Sequence, residues 1–243
     1  MSDGNSEYIQ AEFRRRDEVI PSDFYSLSRD VNLFFYHGRI RQALYQLRAA
    51  GFFPCAGKRV LEIGCGARGW LPDFEAWGVT RADLAGIELD ENRVHSMQRL
   101  LSGYVSNGSP KLQGGADIRV GDASQLPWSS ESFDAVVQSN VFTSILSDDL
   151  KQRVASEMLR VTKKDGLILW YDFTYNNPAN ASVRGIKLAE VAKLFPGCSL
   201  RSRSATLAPP VARRIVPLSW LAGEFLQTLK VLNTHRLIVI KKP

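Results

Sequence analysis

Apolar residues in this chain follow two rhythms. Short runs of strand character recur as Val60-Leu61-Glu62-Ile63, Leu84-Ala85-Gly86-Ile87-Glu88, Ile118-Arg119-Val120, and Ser132 to Ser139. Further runs begin near Leu167, cover about 198–207, and end at Leu237-Ile238-Val239-Ile240. Between them the period changes to that of a helix. Ile40, Leu44, Leu47 and Ala50 fall on one helical face, and Gly51 follows as a stop signal. A helix is expected around 186–195, and Leu218, Leu221, Phe225, Leu229 and Leu232 repeat at helical spacing. Tyr175 to Asn180 reads as a turn-rich loop. Pro209, Pro210 and Pro217 argue against one regular helix over 208–217. Alternating strands and helices predict a mostly parallel sheet with helices on both faces and ligands at the strands' carboxyl ends.

The first strand runs into Gly64-Cys65-Gly66-Ala67-Arg68-Gly69. Such a turn lets backbone approach a ligand, because glycine has no Cβ and tolerates positive φ. Gly64-x-Gly66-x-x-Gly69 also fits a dinucleotide turn, with Glu88 as the ribose acid. Glu62, two positions before Gly64, points the other way. A carboxylate there repels a pyrophosphate but suits S-adenosylmethionine, which carries an ammonium and a sulfonium and no phosphate.

Other signals follow in order: Gly121-Asp122-Ala123 with Leu126-Pro127, then Ser132-Phe133-Asp134-Ala135-Val136, then Leu159-Arg160-Val161 with Gly166. The series resembles the class I S-adenosylmethionine-dependent methyltransferases over roughly residues 57 to 175. Trp170-Tyr171-Asp172-Phe173, Asn176-Asn177-Pro178 and Val183-Arg184-Gly185 look like enzymes of bacterial polysaccharide or natural-product pathways.

The resemblance implies a Rossmann-like sheet with an antiparallel last strand and S-adenosylmethionine as cofactor. It implies a methyltransferase domain over 56–243, a helical lid over 1–55, and a cap-like insertion at about 208–233. Glu62, Gly64, Cys65 and Gly66 would face the amino-acid end of the cofactor. Glu88 would hold the ribose and Leu89 would pack on adenine. Asp122 and Ala123 would meet the adenine amino group, and Gln138 would lie near the sulfonium. Arg68 departs from the pattern, because a third glycine is commoner there.

Charge adds an asymmetry. Residues 180–243 hold 11 Lys/Arg against 2 Asp/Glu, while residues 1–179 carry a net charge of −3. The basic segment fits an anionic small-molecule acceptor, nucleic acid or an acidic membrane face, or is simply a solvated surface. A peripheral membrane contact through the insertion is one expectation; packing of its apolar face on the protein core or on a second copy is the favoured one. Cys55, Cys65 and Cys198 show neither disulfide nor zinc spacing. The polar N-terminus does not read as a signal peptide, and no apolar run reaches the roughly 18 residues of a membrane span. A cytoplasmic setting is the expectation.

Methyl transfer is an in-line displacement that leaves a neutral sulfur, so no acid is required and alignment dominates. His235, His37, Asp172 and Tyr171 are the candidates for a base or for groups beside the reacting methyl. Asn177 and Arg184 are the candidates for holding a polar or anionic acceptor. The expected activity is methylation of an oxygen or nitrogen of a saccharide or other secondary metabolite. A nucleic-acid methyltransferase is the alternative, disfavoured by Gln138-Ser139-Asn140-Val141-Phe142 after the fourth strand. A nicotinamide oxidoreductase or a non-catalytic module ranks third.

Overall fold

The computed structural model describes residues 11, 15, 18–21, 23–102, 115–176 and 182–243. Seven strands form one sheet in the order β3-β2-β1-β4-β5-β7-β6. They are β1 (Val60–Ile63), β2 (Leu84–Glu88), β3 (Asp117–Val120), β4 (Phe133–Ser139), β5 (Thr162–Phe173), β6 (Ser199–Leu207) and β7 (Asn233–Lys241). β1 to β5 are mutually parallel, and β7 runs antiparallel to both β5 and β6. β1 and β2 are buried along their whole length, as continuous apolar runs in a two-faced parallel sheet require.

The helices are α1 (Asp30–Ala49), α2 (Leu71–Ala76), α3 (Glu91–Ser102), α4 (Asp148–Val161), α5 (Leu188–Leu194), α6 (Pro209–Ile215) and α7 (Trp220–Thr228). Strand alternation divides the core into two layers. Val60, Ala135, Val137, Leu169, Leu237 and Val239 join α1, α2 and α3 on one face. Leu61, Ile63, Val136, Ile168, Ile238 and Ile240 join α4 and α5 on the other. A third cluster, Phe34 with Leu207, Ala212 and Val216, ties α1 to the segment between β6 and β7.

α1 starts at Asp30, well ahead of Ile40, and so also holds Phe34, Phe35 and Tyr36. Two local expectations change. Pro209 and Pro210 open a helix instead of forbidding one. Proline is tolerated in a first turn, whose N–H groups have no intrahelical acceptor. The apolar repeat of the insertion does not turn inward. Leu218 is 84% exposed, Leu221 80% and Phe225 64%. The face of α7 that is buried holds the smaller or polar Gly223 and Gln227.

Candidate functional site

The chain order of the sheet reverses between β1 and β4, and ligands of open α/β sheets bind at that point. The glycine turn leaves the carboxyl end of β1 there, and Gln138 ends β4 beside it in register with Ile63. Gly64 has φ +63° and would place a Cβ 2.6 Å from Val141 Cγ2. Gly66 has φ +57°, and a Cβ there would meet nothing within 4 Å. Backbone at Gly66 therefore borders open space into which a ligand can come close.

Glu62 is used differently from the expectation. Its side chain is buried, and its carboxylate accepts from the backbone N–H of Trp70 at 2.8 Å and of Leu71 at 3.2 Å. It caps the start of α2 rather than facing a ligand. Burial pushes its carboxyl up to about 8. Gly69 makes this possible, since a Cβ there would sit 2.3 Å from Glu62 Oε2. The third glycine is thus displaced by one residue past Arg68, and its task is to admit the carboxylate. Cys65 is also turned inward. Its Sγ would lie 3.0 Å from a Cβ at Gly86, and burial raises the thiol so far that it stays protonated. Only its backbone remains for a ligand.

Glu88 ends β2 and closes the other side. One oxygen accepts from Gly66 N–H at 3.0 Å and the other from Leu89 N–H at 2.8 Å. The acid therefore bridges the two turns where a ribose would be gripped. Asp122 caps its own turn by accepting from Ser124 N–H at 2.8 Å, and Asp122 and Ala123 are half-buried. Ala123 rests against the α4-side core.

The carboxyl ends of β4 and β5 hold unsatisfied groups. Gln138 Nε2, Asn140 Oδ1 and Asp172 Oδ2 are buried without a hydrogen-bond partner among the described residues. Buried polar atoms are normally paired, so three orphans at the ends of adjacent strands mark a place completed by something else. Gln138 Oε1 accepts from Val141 N–H at 3.1 Å, and the side chain also acts on the neighbouring Asp172 carboxyl, favouring its charged form. Asn140 adopts φ +56°. Asp172 accepts from Thr143 Oγ1 at 2.7 Å, and burial drives its carboxyl up to about 7.

The four catalytic candidates are not brought together. Asp172 lies with Thr143, whereas Tyr171 packs with Leu237 and Val239 in the opposite layer. His235 stacks on Tyr171 at 4.7 Å and against Phe173 at 4.0 Å. Burial lowers its imidazole to about 3, so it is a poor base. Tyr171 shares a hydrogen bond of 2.5 Å with Thr206, and burial raises its phenol to about 12. Thr206 itself has φ +61°, an outlier for a β-branched residue. His37 is exposed on α1 with its ring 6.1 Å from Trp220, at the seam with the insertion rather than in the crevice.

Arg184 is likewise committed elsewhere. Its guanidinium meets Glu190 at 2.6 Å and Asp148 at 3.1 Å, and the buried Lys151 joins the same acids. Its charge is spent in that network, so it does not stand ready for an acceptor. Asn177 lies outside the described residues.

Two residues escaped the sequence reading. Arg39 of α1 lies 4.3 Å over the Trp70 ring and 3.8 Å from Asp73, and Tyr36 donates to Asp73. These contacts clamp α1 over the glycine turn. The only sequence signal was their spacing of three, which puts both on one side of a helix.

Comparison with known proteins agrees with this geometry. Residues 61–170 match the family model of the methyltransferase domain. An uncharacterized protein of Haemophilus influenzae is 31% identical over 119 residues, which cover 47% of this chain and 42% of that relative. Magnesium protoporphyrin IX methyltransferase from Synechocystis, solved with bound S-adenosylhomocysteine, superposes with a TM-score of 0.65. The match covers 98% of this chain and 100% of that one at 12% identity. The PH0226 protein of Pyrococcus horikoshii gives 0.55 at 16% identity, covering 84% and 91%. The [4+2]-cyclase SpnF gives 0.56 at 16% identity, covering 83% and 81%. The match over residues 61–170 is thus to a methyltransferase domain, and the fold is that of the class I S-adenosylmethionine-dependent methyltransferases.

Proposed function

We propose that this protein transfers the methyl group of S-adenosylmethionine to an oxygen or nitrogen of a small molecule. The observation that carries the reading is the trio of orphaned polar atoms on Gln138, Asn140 and Asp172, set beside the glycine turn and completed by Glu88. The Glu88 carboxylate suits the ribose hydroxyls of that cofactor and the Asn140 amide oxygen its ammonium, while the open Gly66 admits its amino-acid end.

The same geometry disfavours a dinucleotide. A pyrophosphate would sit on the first N–H groups of the helix after β1. Here Glu62 already occupies the N–H groups of Trp70 and Leu71.

When bound, the cofactor supplies an electrophilic methyl on a sulfonium. The residues of the chain do the rest. Glu88 and Asp122 fix the ribose and adenine, and the Gln138 amide orients the reacting end. Arg39 and Tyr36 hold α1 over the turn and exclude water, which sharpens every polar contact beneath. Asp172 is the remaining base candidate, because its carboxyl near 7 accepts a proton at neutral pH without being permanently charged.

The decisive experiment is calorimetric titration with S-adenosylmethionine, S-adenosylhomocysteine, NADH and NADPH. Micromolar binding of the two adenosyl ligands alone is expected. Binding of a nicotinamide nucleotide instead would overturn the proposal.

A further inference from the structure

α7 is apolar on two sides: Trp220 and Leu226 pack on the Phe34 cluster, and further large apolar side chains face outward. Leu221 and Phe225 stand one turn apart on it, Leu218 precedes it and Leu229 follows it on the same stripe, and all four are at least half exposed. Val231, just beyond, is 76% exposed. A contiguous apolar face of this kind on a folded protein marks a contact surface.

Its surroundings identify the partner. A cleft of about 950 Å³ runs along α7, α1 and β6, and Arg41, Arg201, Arg203, Lys230 and Arg236 line it against the single acid Glu224. Of these cations only Arg41 is ion-paired among the described residues, with Glu224 at 2.5 Å. Arg213 and Arg214 of α6 are exposed and meet no carboxylate among the described residues. Arg213 stacks on Phe24 and Arg201 and Arg203 on Tyr45, which leaves their charges without a carboxylate among the described residues. Large aliphatic and aromatic side chains flanked by such arginines are the pattern of a helix lying in the interface of an anionic bilayer. A second copy of the chain would bring the same cations against each other. No helix among the described residues is long and apolar enough to cross a membrane, so the contact is peripheral.

We propose that the 208–232 insertion docks the protein on acidic lipid, with Leu218, Leu221, Phe225 and Leu229 entering the interface and the arginines on the headgroups. α6 and α7 spring from the carboxyl end of β6, the same end of the sheet as Gly64, Gln138 and Asp172. The docking holds whatever reaction the crevice performs.

The test is co-sedimentation of the full chain with phosphatidylcholine vesicles, with and without phosphatidylglycerol, over a salt series. Binding is expected only to the anionic vesicles and is expected to weaken as salt rises. Arg213→Glu with Arg214→Glu should weaken it at least about tenfold, at roughly 1 kcal/mol per cation near a charged surface. Leu221→Ser with Phe225→Ser should do likewise without lowering the melting temperature, since both side chains are exposed. Equal binding to both vesicle types would overturn the proposal. So would a lipid-free dimer that Leu221→Ser with Phe225→Ser dissociates, or retention of RNA by the cleft without any vesicle binding.

Discussion

The carboxyl group of Glu62 accepts from the backbone nitrogen of Trp70 at 2.8 Å, so the first N–H groups of the helix after β1 are already occupied from within the chain. This contact separates the present turn from one that receives a phosphate. Glu62→Ala should strand the N–H groups of Trp70 and Leu71 in the core. Losing a buried acceptor of two donors should cost about 2–4 kcal/mol of stability, read by urea unfolding. Wild-type stability in that variant would mean that the cap is incidental.

Gly66 and Gly69 make a contrasting pair. Gly69→Ala drives a Cβ into the Glu62 carboxylate, so it should lower stability by at least about 2 kcal/mol, the scale of overpacking a core. Gly66→Ala meets no neighbour and strains only its positive φ, so about 1 kcal/mol is expected. Its larger effect should fall on ligand affinity, because the new methyl enters the space at the turn. Calorimetry and melting curves on both variants separate the two roles.

The central fold was readable because fully buried parallel strands leave continuous apolar runs, and five such runs carried recognisable ends. The places of Glu88 and Gln138 at strand ends were legible for the same reason, since a strand's end is located to within a position or two. Glu62 was found but misassigned. Sequence shows a carboxylate at the strand end and cannot show that Gly69 leaves room for it to bend back. Arg184 looked free because its partners Asp148 and Glu190 come from other segments. Tyr171 and Asp172 were both candidates for a place beside the methyl, and alternation along β5 sends them to opposite layers. α7 was expected to bury its leucines because helical spacing predicts a shared face and not which way it points.

Glu88→Ala and Asp122→Ala should each weaken S-adenosylmethionine by about 1–3 kcal/mol, the scale of a lost buried hydrogen-bond partner. Glu88 also braces Gly66 and Leu89, so its variant should lose some stability in the free protein. Asp122 bonds the N–H of Ser124 within its own turn, and its variant should melt near the wild-type temperature. Unchanged affinity in both would move the cofactor site elsewhere.

Arg184→Ala tests the ion network. Arg184 is 40% exposed, and the buried Lys151 still faces Glu190 without it. Partly exposed pairs are worth little, so a loss below about 1 kcal/mol is expected with no change in the Michaelis constant for the acceptor. A raised constant with intact stability would return Arg184 to the acceptor site.

Buried Asp172, Glu62 and His235 together set the pH dependence of stability. Burial raises Asp172 to about 7 and Glu62 to about 8, so the folded state binds more protons than the unfolded chain above their ordinary range. Stability from these acids is therefore fully present at low pH and is lost as pH rises towards 8. His235 acts oppositely. Its imidazole falls to about 3 when folded, so the unfolded chain binds the extra proton between 3 and 6.5 and stability climbs with pH through that window. The opposing slopes offset one another below about pH 6.5, and only the carboxylates remain above it. The free protein should accordingly melt at a lower temperature at pH 8.5 than at pH 6.5. Asp172→Asn should remove part of that decline, and His235→Phe, which keeps the stack on Tyr171, should remove the climb below about pH 4 and leave the carboxylates' decline without its offset between about pH 4 and 6.5. If the melting temperature of Asp172→Asn fell between pH 6.5 and 8.5 as steeply as that of the wild type, Asp172 would already be charged at neutral pH. It would then serve as a fixed counter-charge to a cationic ligand and not as the base.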